Sequence, residues 1–270
     1  MATYSRAVYT NEKGITIIPT ITQQDAARTF DGGQVDVWAE SATQLYPLGS
    51  KAMRGCEVWR YCKAGGTGLN IAAPVQQAKA AHAEQDDDIV CGAAAAIGAY
   101  SVEVTSTANL DTAPNDSAND FAEGFLIVND EAGEGQCLRI KSNEALSGTA
   151  DSTFTLYDPL SVALTTSSEL GLVRNPYYKV IATEAVVSGM VIGIPQFAVT
   201  ANYYFWCKTG GPAAAVPQAA IALGTSVCVG TTAAKVNASA AATTELIIGW
   251  AMTPGVADTE SMIVFLTLDS

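Results

Sequence analysis

The stretch Tyr203-Tyr204-Phe205-Trp206-Cys207-Lys208-Thr209-Gly210-Gly211-Pro212 decides our expectation for the fold. Four consecutive aromatic residues precede Gly-Gly-Pro, a pattern typical of a strand that ends in a turn. A related stretch, Val58-Trp59-Arg60-Tyr61-Cys62-Lys63-Ala64-Gly65-Gly66, lies 145 residues upstream when the two are aligned on their cysteines. Both read aromatic-Cys-Lys-x-Gly-Gly. We therefore interpret them as equivalent strands of two related β units, each ending in the same turn.

The four aromatic residues of the second stretch predict both a core and an interface. Successive side chains of a strand point to opposite faces, so each face receives two of them. One pair would fill a small barrel, and an outward pair would mark a contact between subunits. A glycan-binding face is the alternative for the outward pair. The interface candidates are Tyr203, Tyr204, Phe205, Trp206, Trp59, Tyr61, Ile15 and Ile17.

The first 54 residues predict strands near the edge of a sheet. Residues 15–21 read as a strand whose Pro19 confines it to an edge or to an extended arm. Residues 34–40 alternate polar and apolar side chains, as a half-buried strand does. The segment is either an arm that docks on a neighbouring subunit or an edge strand of the same subunit.

The remaining pattern predicts an all-β protein. Turn signals recur about every ten residues, and residues 125–141 read as two alternating strands joined by a glycine-rich loop. Residues 75–85 are rich in good helix formers and predict the one short helix. We expect two or three small β-barrel or sandwich units, with an arm and edge strands over 1–54, a first aromatic β unit over 55–90, a central β domain over 91–180 and a barrel-like domain over 181–270.

The composition indicates a protein that packs against neighbours. Only 15% of the residues are charged, and 27 acidic residues against 14 basic ones give a net charge of −13. The basic residues are scattered singly, which argues against binding of nucleic acid through its phosphates. A surface with few charges suits an assembling protein better than one that stays dispersed.

No set of residues in the sequence predicts a catalytic, cofactor or metal site. The single histidine, His82, has no evident partner, and the six cysteines include no Cys-x-x-Cys pair. We interpret the cysteines as buried free thiols, and disulfides are the alternative. The acidic turns at 86–88 and 129–131 lack the alternating ligands of a calcium loop. Gly65-Gly66-Thr67-Gly68 lacks the Gly-Lys-Ser/Thr of a phosphate-binding loop. We expect no cofactor and no enzyme activity; an esterase or glycosidase using paired carboxylates is the least favoured class.

The start of the chain and its hydropathy indicate where the protein is made. The start, Met1-Ala2-Thr3-Tyr4-Ser5-Arg6, lacks the apolar run of a signal peptide, and no stretch of 18 apolar residues occurs. We expect synthesis in a cytoplasm, no export by the general route and no membrane partner.

Several segments resemble a family of virion proteins of tailed bacteriophages. They are residues 55–69, residues 121–140 with Gly-Phe-Leu-Ile-Val-Asn-Asp at their centre, residues 199–212, and Ile248-Gly249-Trp250-Ala251 at the start of the last hairpin. They occur in the family's order between residues 55 and 268, and residues 1–54 fall outside the resemblance.

The resemblance implies a structural protein of the phage head, similar to capsid decoration (cement) proteins. Such a protein would lie on the capsid surface, with the major capsid protein and copies of itself, as a homotrimer, for partners. The family has no catalytic residues to carry over. The alternatives are another particle component, such as a tail or head–tail protein, and a glycan-binding module that contacts the host.

Overall fold

The computed structural model of the chain describes residues 9–10, 16–18, 36–78, 88–106, 117–147, 150–240, 246–256 and 260–269. Every regular element among these residues is a β-strand. The expected all-β class, with barrel or sandwich units, is therefore confirmed. The chain divides into two compact units: residues 1–79 with 176–270 form unit 1, and residues 80–175 form unit 2.

Unit 2 is a barrel-like sheet of six strands in the order β6-β11-β8-β9-β10-β7. Its two edges meet, because Cys91 next to β6 bridges Val104 of β7. The strands alternate buried and exposed residues, and the buried ones, such as Val104, Leu126 and Phe154, share one core. The strands are β6 (Ile89–Val90), β7 (Ser101–Thr105), β8 (Phe125–Asp130), β9 (Cys137–Asn143), β10 (Asp151–Leu156) and β11 (Glu169–Val173). The predicted hairpin over 125–141 is β8 paired with β9.

Unit 1 contains a nine-stranded sheet, in the order β1-β2-β3-β4-β14-β18-β17-β15-β16, and a three-stranded sheet, in the order β12-β5-β13. All pairs of neighbouring strands are antiparallel. The strands are β1 (Tyr9–Thr10), β2 (Thr16–Ile18), β3 (Lys51–Arg54), β4 (Glu57–Lys63), β5 (Val75–Gln76), β12 (Ile181–Ala182), β13 (Val191–Gly193), β14 (Tyr204–Ala215), β15 (Ser226–Val229), β16 (Val236–Ala238), β17 (Ile247–Ala251) and β18 (Met262–Thr267).

The predicted duplication of the aromatic strands is wrong. β4 and β14 are neighbours in one sheet, with Cys62 opposite Phe205 and Tyr61 opposite Trp206. The two similar stretches are therefore hydrogen-bonded neighbours within one sheet, and they are not equivalent strands of two separate barrels. The predicted segments 55–90 and 181–270 therefore share a sheet, and so do β2 and β3 of the first 54 residues.

The second predicted Gly-Gly turn is also wrong, because β14 runs through it. A bulge lies between Lys208 and Gly210, and the strand continues to Ala215. Gly211 has a φ of 78°, and a Cβ there would collide with the carbonyl oxygen of Cys56. The glycines thus permit a bulge and a close backbone approach within a strand rather than ending it.

The fold also bears on three local predictions, those for residues 75–85, 34–40 and 15–21. Val75 and Gln76, the start of the predicted helix, are buried strand residues, since burial outweighs helix propensity; residues 79–85 lie outside the described residues. Asp36 accepts a hydrogen bond from the amide of Trp38 and starts a turn where residues 34–40 predicted a strand. β2, which lies within the predicted strand 15–21, pairs with β1 and with β3 of the same chain, so it is an inner strand of the sheet and not its edge.

Candidate functional site

The aromatic residues of β4 and β14 form a packed cluster on one face of the sheet. The rings of Tyr61 and Trp206 lie 5.1 Å apart, and those of Tyr61 and Tyr204 are stacked at 5.9 Å. Tyr46 closes the cluster at 5.3 Å from both Tyr61 and Trp206. The hydroxyl of Tyr61 accepts a hydrogen bond from the amide of Leu45, and burial raises the pKa of that tyrosine. These contacts are those of a core.

Four of the eight predicted interface residues are therefore core residues. Trp59, Tyr61, Phe205 and Trp206 are each at most 3% exposed, so their side chains offer no area to a partner. The interface assignment is corrected for these four: both faces of this part of the sheet are covered, which alternation alone does not reveal. Tyr203 and Tyr204 are half-buried. Ile17 lies in β2 and Ile15 is outside the described residues.

The opposite face of the same strands buries two thiols. Cys62 and Cys207 lie in a cluster with Phe205 and Ile192, and neither is exposed. Burial, and next the adjacent thiol of Cys62, raise the pKa of Cys207 well above its usual value. A protonated, enclosed thiol is neither a nucleophile nor a metal ligand.

A tyrosine–lysine group lies at the edge of the aromatic cluster. The ammonium of Lys63 is 5.1 Å from the ring centres of both Tyr178 and Tyr204. Lys179 approaches Tyr178 to 5.0 Å. The two tyrosines are half-buried. The group provides cation–π contacts within the chain and partly exposed rings.

A buried lysine is neutralised beside this cluster. Lys208, whose side chain is 4% exposed, donates to a carboxylate oxygen of Glu57 at 2.5 Å. Arg54 pairs with the other oxygen at 2.7 Å, and the Lys208 ammonium is 5.0 Å from the ring of Trp59. Although partial burial alone would raise it, the two cations lower the pKa of Glu57. The arrangement satisfies a buried charge and leaves no group free for acid–base chemistry.

A second ionic group, the Asp269 clasp, ties the residues after β18 to β3 and β4. Both carboxylate oxygens of Asp269 accept hydrogen bonds from Arg60, at 2.5 and 3.1 Å, and Lys51 donates at 3.2 Å. Arg60 also donates to the carbonyl oxygen of Gly49. Partial burial alone would raise the pKa of Asp269, but the guanidinium and the ammonium lower it. Beside the clasp is a cavity of about 200 Å³ lined by Arg60, Tyr177, Met190, Val191, Ile192, Thr209, Leu268 and Asp269.

The other half of the nine-stranded sheet carries no charge. Residues 210–215 of β14 and all of β15, β16, β17 and β18 contain no Asp, Glu, Lys, Arg or His. One face of these strands packs into a core with Val264, Leu266 and Ile248. On the other face, β17 and β18 expose Trp250 and Ile263 to solvent, whereas Cys228 of β15 is buried.

Four large apolar residues occupy the open face of β17 and β18. Trp250 is opposite Phe265, and the amide of Met252 donates to the carbonyl of Ile263, so the four side chains are neighbours. We call them the outer apolar face. Trp250 is 51% exposed, Met252 45% and Ile263 43%, while Phe265 is half-buried.

The outer apolar face was not predicted, although the sequence contains a signal for it. The runs 246–251 and 262–268 are almost continuously apolar and contain no charge, whereas a solvated strand face ordinarily carries polar side chains. The bulge between β15 and β17 directs Trp250 outward, and that displacement cannot be read from the sequence.

The acidic turns of unit 2 come together around β11. Desolvation, then the carboxylates of Asp88 and Asp130, raise the pKa of Glu169. Within the described ranges, no group of three or more His, Cys, Asp or Glu residues is placed to hold a metal ion. His82, Asp86 and Asp87 lie outside those ranges.

In the part of the chain that the structure describes, no helix is long and apolar enough to cross a membrane. Comparison of the chain with protein-family models, with curated proteins and with solved structures finds no match.

Proposed function

We propose that the chain is a structural subunit of a virus particle, a decoration (cement) protein that stabilises the head of a tailed bacteriophage. The outer apolar face is the single observation that carries the proposal: an exposed apolar patch on an uncharged part of a sheet marks a contact with another protein. The low charge of the chain and the resemblance of residues 55–69, 121–140 and 199–212 to phage virion proteins support the same role.

The mechanism we propose is non-enzymatic. Each subunit would bury apolar surface against the major capsid protein and against copies of itself on the capsid surface. Repetition by the symmetry of the shell would multiply a modest contact many times and oppose the internal pressure of the packaged head. The ion pairs of the described residues are accounted for within the fold and supply no acid or base to this role.

The test is binding of the recombinant full chain to phage heads that lack it. We expect co-sedimentation with expanded heads, a fixed copy number per particle by quantitative mass spectrometry, and greater resistance of the decorated heads to heat. A chain that is absent from purified particles and does not co-sediment with heads refutes the role. A copy number of about six or twelve per particle would instead indicate a tail or head–tail component.

A glycan-binding host contact is the second candidate, and one observation favours it. Tyr178 and Tyr204 present half-buried rings beside Lys63, and partly exposed aromatic rings can stack on sugars. We expect that a glycan array would show binding that Tyr178→Ala abolishes without changing the circular dichroism spectrum. Absence of any array signal removes this candidate.

A further inference from the structure

We propose that the outer apolar face (Trp250, Met252, Ile263 and Phe265) binds the same face of a second copy of this chain. The proposal rests on the structural role proposed above and deepens it by naming the partner of this face. Three features support this contact: the lack of charged residues in the surrounding strands, the inner position of β17 and β18 in the sheet, and the area that the four side chains expose.

The charge distribution selects a partner that is itself uncharged. The chain carries a net charge of −13, so two copies repel each other wherever acidic residues face one another. The strands around the outer apolar face, which are β15 to β18 and residues 210–215 of β14, contain no charged residue. The face gives no attraction to a nucleic acid or to an anionic membrane. The same uncharged face of a second copy is complementary to it without any compensating charge.

The position of the two strands requires contact through side chains. β18 is hydrogen-bonded to β14 and β17, and β17 is hydrogen-bonded to β18 and β15, so neither strand has a free edge. A partner cannot add a strand here. It can pack a sheet face against a sheet face, as the two layers of a β-sandwich do at about 10 Å. A flat face of four apolar side chains suits that arrangement.

The exposed area is sufficient for the centre of such a contact. Trp250, Met252 and Ile263 are each 43–51% exposed, and half of a large apolar side chain is on the order of 100 Å². With the exposed part of Phe265, each copy therefore offers roughly 350 Å², and two copies bury roughly 700 Å² of apolar surface. A stable interface at the small end buries about 1,200 Å², of which about 65% is apolar in homodimers. The roughly 700 Å² of apolar surface that two copies would bury is therefore close to the apolar part of such an interface.

The experiment measures the mass of the full chain in solution without any phage head. Sedimentation equilibrium between about 1 and 200 μM is run on the natural chain and on Trp250→Glu and Ile263→Glu. The control is Val186→Glu, which places the same charge at an 81% exposed apolar residue of unit 1 outside these strands. We expect the natural chain and the control to form a species of at least twice 28.0 kDa. Each of the two face variants should raise the dissociation constant at least 100-fold.

Each outcome decides the proposal separately from the proposed function. A natural chain that stays at 28.0 kDa up to 200 μM overturns it, and so does an oligomer that both face variants leave intact. Because both replaced residues are substantially exposed, each variant should unfold in urea at the midpoint of the natural chain when all are measured at a concentration at which the natural chain is monomeric. Two variants guard against a failure of one to fold. Monomers that still bind heads would reject this contact and leave the cement role standing. If the two face variants lose the oligomer and the natural chain does not bind heads, the contact between copies stands and the cement role is rejected.

Discussion

Replacing Asp269 by Asn tests whether the Asp269 clasp stabilises unit 1. Asn has the same shape but no charge, and it would leave Arg60 and Lys51 close together without a counter-ion. In the natural chain the carboxylate receives two hydrogen bonds from Arg60 and one from Lys51. The substitution therefore removes the charge on which three contacts converge.

The magnitude follows from the burial of the clasp. A hydrogen bond to a charged group contributes about 1.5–3 kcal/mol, and removing one partner of a fully buried pair costs about 3–5 kcal/mol. The side chains of Lys51, Arg60 and Asp269 are 17–23% exposed, so water partly replaces what is lost. We expect a loss of about 2 kcal/mol, a substantial part of a typical stability of about 5–15 kcal/mol.

The pH dependence has a definite sign. The pKa of Asp269 is lowered in the folded state by Arg60 and Lys51. The clasp therefore contributes its full stabilisation above the pKa of an unfolded aspartate, about 3.9, and loses it as the pH falls through the lower folded value. The difference between the natural chain and Asp269→Asn should be constant from about pH 5 to 8 and shrink below about pH 4.

The assay is urea unfolding followed by tryptophan fluorescence. All four tryptophans, at positions 38, 59, 206 and 250, lie in unit 1, so the signal reports that unit alone. Glu260→Gln is the matched control, because this exposed carboxylate lies in the same unit. A change below about 0.5 kcal/mol at pH 7, or a difference that persists unchanged at pH 3, would refute the reasoning.

Three further predictions concern other parts of the chain. Gly249→Ala should lower the stability of unit 1 by about 1–3 kcal/mol in the same assay, since a Cβ there would collide with the carbonyl oxygen of Phe265; an unchanged midpoint contradicts this. A thiol reagent should modify only Cys56 and Cys137 of the six cysteines in the folded chain and all six in urea; fast reaction of a third thiol contradicts it. Glu169→Gln should slow hydrogen exchange in β11 at pH 7 and not at pH 3, because the raised pKa of Glu169 makes its charge destabilising as the pH rises.

Strands were predictable where the pattern is local. The hairpin of β8 and β9 follows from alternation on either side of a glycine-rich loop, and both strands form as expected. The aromatic run likewise predicts a strand, and β14 contains three of its four aromatics. In each case the side chains and the backbone geometry of one short segment decide the result.

What could not be predicted depends on partners distant in sequence. Residues 75–85 favour a helix by composition, yet Val75 is held between β12 and β13 by residues more than 100 positions later. Whether Trp206 faces a core or a partner depends on Tyr46 and Tyr61, which cover it. The outer apolar face depends on a bulge that turns Trp250 outward. A linear pattern contains the residues of each site but not what covers them.

The pairing of β4 with β14 has a consequence for folding during synthesis. All of unit 2 lies between these two strands in the chain, and it is continuous from 80 to 175, so all of its residues are synthesised before β14. At roughly 5–20 residues per second, β14 leaves the ribosome roughly 7–30 seconds after β4. During that interval Trp59 and Tyr61 lack the strand against which they later pack. The nascent chain therefore exposes an aromatic strand during that interval, and we expect the pairing of β4 with β14 to be the slow step in the folding of unit 1.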